Sequence, residues 1–570
     1  MAESYYDLGT YCRPITTSSV EAKKWFDRGL IWSYGFHHEE ASACFERAIA
    51  ADRDCAMAHW GLAYSLGPNY NKAWDIFDPE ELGLTVARTH QAVMNAKNHA
   101  SGISPVEEAL IDALISRYPR EREKDVQACA AWNESYAESM SKVYEQFRTD
   151  LDVAMLYAEA LMNLSPWALY DLKTGEPAAG AHTVQIKAIL DAAIALPGGN
   201  NHPGLLHLYT HLMEMSKSPE TALPVANRLR GLVPDSGHLQ HMPTHLDLLC
   251  GDWQNAIKWN SAAIIADEKY LARAGAKNFY TLYRSHDYHF RIYAAMFAGQ
   301  KRVALDTTSQ LEASITPELL NVKIPPMAEW LEGFLPVRTH VMVRFGMWQD
   351  IIAMQFPGDK ELYCMTTAMI HYAKGIAYAN STMLEEAQKS RDEFKSAKQQ
   401  VPESRRLFNN TCQEVLAVAD AMLDAELEFR KGAVERSFQH FELAIERSDH
   451  LHYEEPWGWM QPPRHAYGAL LLEHADIIDP NQQEYKDLLA KALHQYSSDL
   501  GYNDSLPRAV QHPNNVWALH GYCECLTRAP ELSGKDRSVP LAVALKQLEE
   551  VKAFADVPIH ASCACRKAKL

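Results

Sequence analysis

At 570 residues the chain has room for several domains or one long repeat array, and a hydrophobic content of 47% supports an extensive core. Its 73 Asp and Glu outnumber its 55 Lys and Arg, and the net charge of −18 argues against a nucleic acid or an anionic membrane as partner. Eleven cysteines, an odd number thinly spread, read as reduced thiols, and the C-x-C pairs Cys523/Cys525 and Cys563/Cys565 lack the spacing of a zinc ribbon.

Along the chain, apolar residues recur with the helical period and strand-like alternation is almost absent. The opening MAESYYDLGTYC lacks the basic-then-apolar order of a secretory signal, and no uninterrupted apolar run reaches the roughly 18 residues of a membrane span. In WFDRGLIWSYGFHHEEASACFERAIAADRD, the residues Gly29, Trp32, Ala41, Phe45 and Ala48 stand at the offsets of a tetratricopeptide (TPR) repeat. There a small residue lets helix A approach helix B, and the aromatic fills the groove between them. Gly375, Tyr378, Ala387 and Phe394 repeat the pattern, Pro402 closes that segment, and weaker copies follow Gly251, Gly432 and Asn514. GPNYN (67–71), SGISP (101–105) and LPGGNNHPG (196–204) read as turns or loops. The expected fold is all-α: a TPR-like helical-hairpin superhelix, or solenoid, enclosing a central His-rich pocket. One domain spans 1–570, with N-terminal repeats over 17–100, a His-rich metal-site region over 150–300 and C-terminal repeats over 320–570.

The pattern degrades where histidines gather. HLYTHLME puts His207, His211 and Glu214 on one helical face; HLQHMPTH carries His238, His241 and His245; SHDYH carries His286 and His289. Side chains three or four apart on a helix are neighbours, and neutral imidazole is the commonest protein ligand for Zn, Cu, Fe and Ni. Pro243 suits the first turn of a helix, which leaves His238 and His241 in a connection and lets His245 enter the next helix. His38, at the turn GFHHEEA, is a further candidate ligand beside His207, His211, His241, His245, His286 and His289. Glu214, His238 and Tyr288 are the candidate catalytic groups. Asn69 and Tyr70 of GPNYN are candidate substrate contacts, with a capping Asn in a turn as the plainer account. HLHYEEPWGWMQPPRH is unlike a repeat helix: Trp457 and Trp459 suit the apolar part of a small substrate, and Arg464 its carboxylate. A rigid loop capping the array is the competing account.

These segments together resemble a set of His-rich tetratricopeptide-like proteins found in bacteria and fungi. The shared motifs are F-x-H-x-E-A at Phe36 to Ala41, A-M-A-x-W-G with G-P-N-Y-N at Ala56 to Asn71, and H-x3-H-x-M-E-x-S at His207 to Ser216. G-H-L-x-H-M-P-x-H at Gly237 to His245, H-x-Y-H-F at His286 to Phe290, and E-P-W-x-W-x-Q-P-x-R-H at Glu455 to His465 complete the set. The resemblance covers nearly the whole chain. It implies a helical-repeat body with a His-rich centre, and it supplies no substrate.

No P-loop, G-x-G-x-x-G, H-E-x-x-H or G-x-S-x-G motif is present, so no nucleotide cofactor is expected. Many imidazoles against one well-placed carboxylate disfavour Mg and Ca, and the lack of local Cys disfavours a structural zinc finger. The reading is a metal-dependent oxidoreductase using copper or iron on a small-molecule substrate, with two groups of His on a coupled pair of ions or fewer on one. A zinc-type hydrolase or lyase is the alternative. A non-catalytic TPR scaffold binding peptides is the rival from another class. The terminal Ala568-Lys569-Leu570 is a close variant of the Ser-Lys-Leu address read by a peroxisomal import receptor, which leaves peroxisome and cytoplasm open.

Overall fold

The computed structural model describes residues 5–532 and 539–567, so the terminal Ala568-Lys569-Leu570 lies outside the described residues. The chain is 66% helix. Strand among the described residues is confined to two short antiparallel ribbons, Tyr170–Asp171 with Glu176–Pro177 and Arg406–Leu407 with Asn410–Thr411. No described helix is long and apolar enough to cross a membrane. Where the sequence reading has one domain, the contacts divide the chain into two compact units: Met1–Leu246 with Ala262–Tyr280, and Asp247–Ser261 with Thr281–Leu570.

The first unit is a succession of helices: α1 (Val20–Tyr34), α2 (His38–Ala51), α3 (Ala56–Leu66), α4 (Pro79–Asn98), α5 (Pro105–Arg117), α6 (Val126–Gln146) and α7 (Leu151–Met162). There follow α8 (Thr183–Ala195), α9 (Pro203–Met213), α10 (Leu223–Leu229), α11 (Gly237–His241) and α12 (Pro243–Cys250), the last ending beyond the unit. Side-chain caps start several of these helices, α1, α4, α6, α7 and α9 among them. Ser104 and Glu107 form a capping box ahead of α5 with Pro105 in its first turn, and the Asp150 carboxylate caps α7 through the amides of Asp152 and Val153. Gly198, at φ +86°, makes the left-handed turn before α9 that a side chain would strain.

Packing explains the glycine–aromatic spacing. The Phe45 ring of α2 lies between Gly29 of α1 and Gly61 of α3, where a Cβ would come within 2.8 Å and 2.3 Å of the ring. The second unit repeats the device: Tyr496 lies against Gly468 and Gly521, at 2.4 Å and 2.3 Å from where their Cβ atoms would stand. Gly375 meets Leu423 in the same way, and Ala387 and Phe394 are fully buried. Two expectations are corrected. His238 and His241 lie not in a connection but in α11, whose Met242 amide donates to the His238 carbonyl; Pro243, lacking an N–H, then interrupts the ladder and opens α12. Cys563 and Cys565 are joined as a disulfide rather than free, their Cα atoms standing 5.2 Å apart, while Cys523 and Cys525 remain thiols.

Asp152, in the first turn of α7, ties the first unit together. Its carboxylate accepts from Tyr11 Oη (2.6 Å), Arg13 Nη1 (2.6 Å), His202 Nε2 (3.1 Å) and the Tyr34 hydroxyl. Burial works to raise its pKa, but the His202 hydrogen bond and the Arg13 charge outweigh burial and hold the carboxyl well below the usual carboxylate range. A carboxyl whose folded pKa is depressed stabilises the fold above its unfolded value of about 3.9, and that contribution is lost as pH falls below it. The first unit is therefore expected to lose stability progressively below about pH 4. Urea melts of Asp152→Asn against the parent check this: the parent's advantage should shrink on acidification, and a pH-independent difference would contradict it.

Candidate metal centre

α9 presents the first pair of imidazoles. Pro203 opens it, His202 caps it by accepting the Leu205 amide (3.1 Å), and Leu205, Leu206, Leu208 and Leu212 bury it. His207 and His211 then lie one turn apart, with ring centroids 4.8 Å apart, and Glu214 follows at the C-cap. α11 and α12 bring His238, His241 and His245. Within the first unit these groups converge: one donor nitrogen each from His207, His211 and His238 lie within 4.8 Å of one another. His207 Nε2 and His238 Nε2 are 3.1 Å apart, and His241 Nε2 and His245 Nε2 are 2.7 Å apart.

The outward nitrogens fix the inward ones. His207 Nδ1 donates to the Tyr34 carbonyl (2.6 Å), and Tyr34 is itself held by Asp152. His211 Nδ1 donates to Glu214 Oε1 (3.0 Å) and His245 Nδ1 to Glu214 Oε2 (2.7 Å). A carbonyl or carboxylate can only accept, so each of these imidazoles keeps its proton on Nδ1 and its lone pair on Nε2. A carboxylate or carbonyl behind each imidazole is the arrangement that orients metal-ligating histidines. Glu214 thus joins two sets of imidazoles from segments 31 residues apart. His211 Nε2 is buried and has no hydrogen-bond partner among the described residues.

Burial keeps the set neutral. It lowers His211 to about 3; it lowers His245 to about 4 against the pull of Glu214; it holds His207 and His238 well below the ordinary value, with neighbouring imidazoles adding to the effect. Burial raises Glu214, and His245 opposes it. Neutral imidazole is the ligand form.

Three aromatic rings enclose His211: Phe36 stacked at 5.7 Å, Tyr70 at 5.2 Å and Trp167 at 5.8 Å. Phe36 also touches His207 (4.5 Å) and His238 (5.9 Å). Phe36 and Trp167 both adopt left-handed backbone, at φ +54° and +58°, which costs about 1–3 kcal/mol each for a residue other than glycine and is tolerated where the surroundings enforce it. Two such residues packed on one histidine mark a place where backbone comfort yields to the position of a ring. Tyr70 is fully buried, and burial, then Glu214, raises its pKa well above 10, so it stays a phenol.

The remaining predicted residues fall outside the His207–His211–His238 group. His38 is half-buried, with Nδ1 3.3 Å from the Gly67 carbonyl and its ring 6.2 Å from Tyr64. Asn69 caps its own turn, accepting from the amides of Asn71 and Lys72 (2.9 Å each). His286, Tyr288 and His289 belong to the second unit, on the helix Tyr280–Phe297. There His286 packs on Phe408 (4.8 Å) and His289 on Phe334 (5.2 Å), and burial lowers His289 to about 3. The 450–462 segment is an irregular and mostly buried stretch. Trp457 Nε1 donates to the Ser448 carbonyl (2.9 Å), and Trp459 packs on His340 (4.7 Å) and Tyr372 (5.5 Å). Arg464, expected to clamp a substrate carboxylate, places both terminal nitrogens on Asp449 (2.6 and 2.7 Å). The cavity lined by Trp459, Gln461 and His465 measures about 30 Å³, room for a water or two and not for a metabolite.

Sequence reasoning missed Tyr34, Phe36, Trp167 and Asp152 as parts of the site. Phe36 carried a signal in F-x-H-x-E-A, whereas Trp167 and Asp152 carried none. No protein-family model matches the chain, and no curated protein matches it.

Proposed function

We propose that the chain is a metal-dependent enzyme in which His207, His211 and His238 hold a transition metal, with His241 and His245 as a second, adjoining set. One observation carries the reading: three buried imidazole donors converge, the outward nitrogens of His207 and His211 are committed to acceptors, and His211 Nε2 is left without a partner. Leaving a buried polar nitrogen unpaired costs about 1–3 kcal/mol, which an ion at that point removes. The donor set fits such an ion in kind, being imidazole-rich with its carboxylate in the supporting position.

Copper or iron is the favoured metal, and an oxidation of a small molecule the favoured reaction, because the donors are nitrogen-rich and carboxylate-poor. When bound, the metal supplies Lewis acidity or redox capacity; the chain's own residues orient the imidazoles through Glu214 and Tyr34 and exclude water with Phe36, Tyr70 and Trp167. A zinc-dependent hydrolase or lyase is the second reading, favoured by the three-imidazole set with a carboxylate behind it. The glycine–aromatic packing of successive hairpins supports a TPR-like body for the enzyme, in keeping with the resemblance to His-rich TPR-like proteins.

Elemental analysis of the purified, reconstituted chain tests the proposal. A stoichiometric transition metal is expected, with copper or iron retained in preference to zinc. Zinc alone would transfer the case to hydrolysis, and no metal after reconstitution would leave a binding scaffold.

A further inference from the structure

Two buried polar groups next to each other are short of partners among the described residues: His211 Nε2 has none, and the Tyr70 hydroxyl meets the Trp167 backbone N–H but finds no acceptor for its own proton. Their rings stand 5.2 Å apart, and Glu214, which holds the far side of His211, is close enough to act on Tyr70 electrostatically. For packing alone a phenylalanine would serve at Tyr70, and a buried hydroxyl proton without an acceptor is costly. Its turn is nonetheless held firmly. Asn69 accepts two amides, Arg117 Nη2 donates to the Pro68 carbonyl (3.2 Å), and Gly67 abuts Tyr118, whose hydroxyl stands 1.8 Å from where a Cβ would be. Phe36 and Trp167 keep strained backbone while their rings close on His211, and Trp167 also packs on Tyr70 (5.4 Å). The hydroxyl is thus fixed in a buried, aromatic enclosure beside an imidazole whose Nε2 is open.

Resting on the metal reading above, we infer that Tyr70 is the hydrogen-bond donor for the non-protein ligand of the ion at His211, and that this ligand is a small hydrogen-bond acceptor of a few atoms, the size of water or azide. Tyr70 is thereby a substrate-positioning group rather than a contact to the body of a larger metabolite. A donor placed in advance in a water-excluded site favours an anionic ligand more than it would in bulk water.

The test uses the full chain loaded with Cu(II) and titrated with azide, followed by the azide-to-copper charge-transfer absorption, for the parent, Tyr70→Phe and His211→Ala. The parent is expected to bind one azide at copper that His211→Ala does not retain. Tyr70→Phe should keep the parent's copper content and circular dichroism while binding azide about tenfold more weakly, the value of one hydrogen bond to a charged acceptor. Full copper with unchanged azide affinity in Tyr70→Phe would overturn the inference and leave the metal reading standing. Copper loss in Tyr70→Phe would also overturn it, making the phenol a support of the imidazoles. A parent that takes up no stoichiometric copper or other transition metal overturns both.

Discussion

Changing His211 to Ala is expected to abolish stoichiometric metal binding, and changing Glu214 to Ala to weaken it about 10–100-fold. The two differ because their parts differ. His211 offers a donor nitrogen, and its loss leaves His207 and His238 facing a gap. Glu214 offers orientation: its two oxygens hold Nδ1 of His211 and of His245 at 3.0 and 2.7 Å. Without them both rings are free to turn and to move the proton to Nε2, which removes the lone pair from the side where the proposed ion would sit. Glu214→Gln restores only half of this, since a carboxamide oxygen accepts from one imidazole while its NH2 opposes the other. Chelator competition should therefore rank affinity as parent, then Gln, then Ala, then His211→Ala. Equal affinity in the parent and Glu214→Ala would show that the imidazoles need no carboxylate behind them.

Replacing Asp499 by Ala is expected to destabilise the second unit by about 3–5 kcal/mol, the cost of breaking a buried charged network on one side. Asp499 accepts from His465 Nε2 (2.7 Å), His512 Nδ1 (2.7 Å) and Asn515 Nδ2 (2.9 Å), and all four groups are buried. Beyond them Tyr293 Oη donates to His512 Nε2 (2.9 Å) and Arg344 Nη2 to His465 Nδ1 (3.0 Å). Burial works to raise the Asp499 pKa, but its two histidines outweigh it and hold the carboxyl far below the usual range; burial lowers Arg344 to about 10 against the pull of Asp499. Truncation leaves two imidazole N–H groups unpaired and Arg344 without its counter-charge. Asp499→Asn should lose less, because His512 can reverse its tautomer toward Tyr293, whose hydroxyl also accepts. Denaturant titration of the three proteins measures the order, and a loss under about 1 kcal/mol in the Ala variant would mean that water replaces the carboxylate.

The local part of this protein was legible in its sequence. Helical periodicity, Gly and Pro breakers and the glycine–aromatic offsets follow from covalent geometry and near-neighbour packing, so Gly29 with Phe45 could be read directly. The H-x3-H spacing likewise put His207 and His211 on one face with Glu214 nearby, because side chains one turn apart must be neighbours. What the tertiary structure alone decided is which segments meet. That His238 reaches His207, that Glu214 serves His245 as well as His211, and that Phe36 and Trp167 close on His211 are contacts between residues far apart in the chain. The same holds for Arg464: its sequence neighbourhood reads as a substrate clamp, and only folding supplied Asp449 as its partner. A side chain's type states what it can bind; its partner is set by packing, which no local spacing encodes.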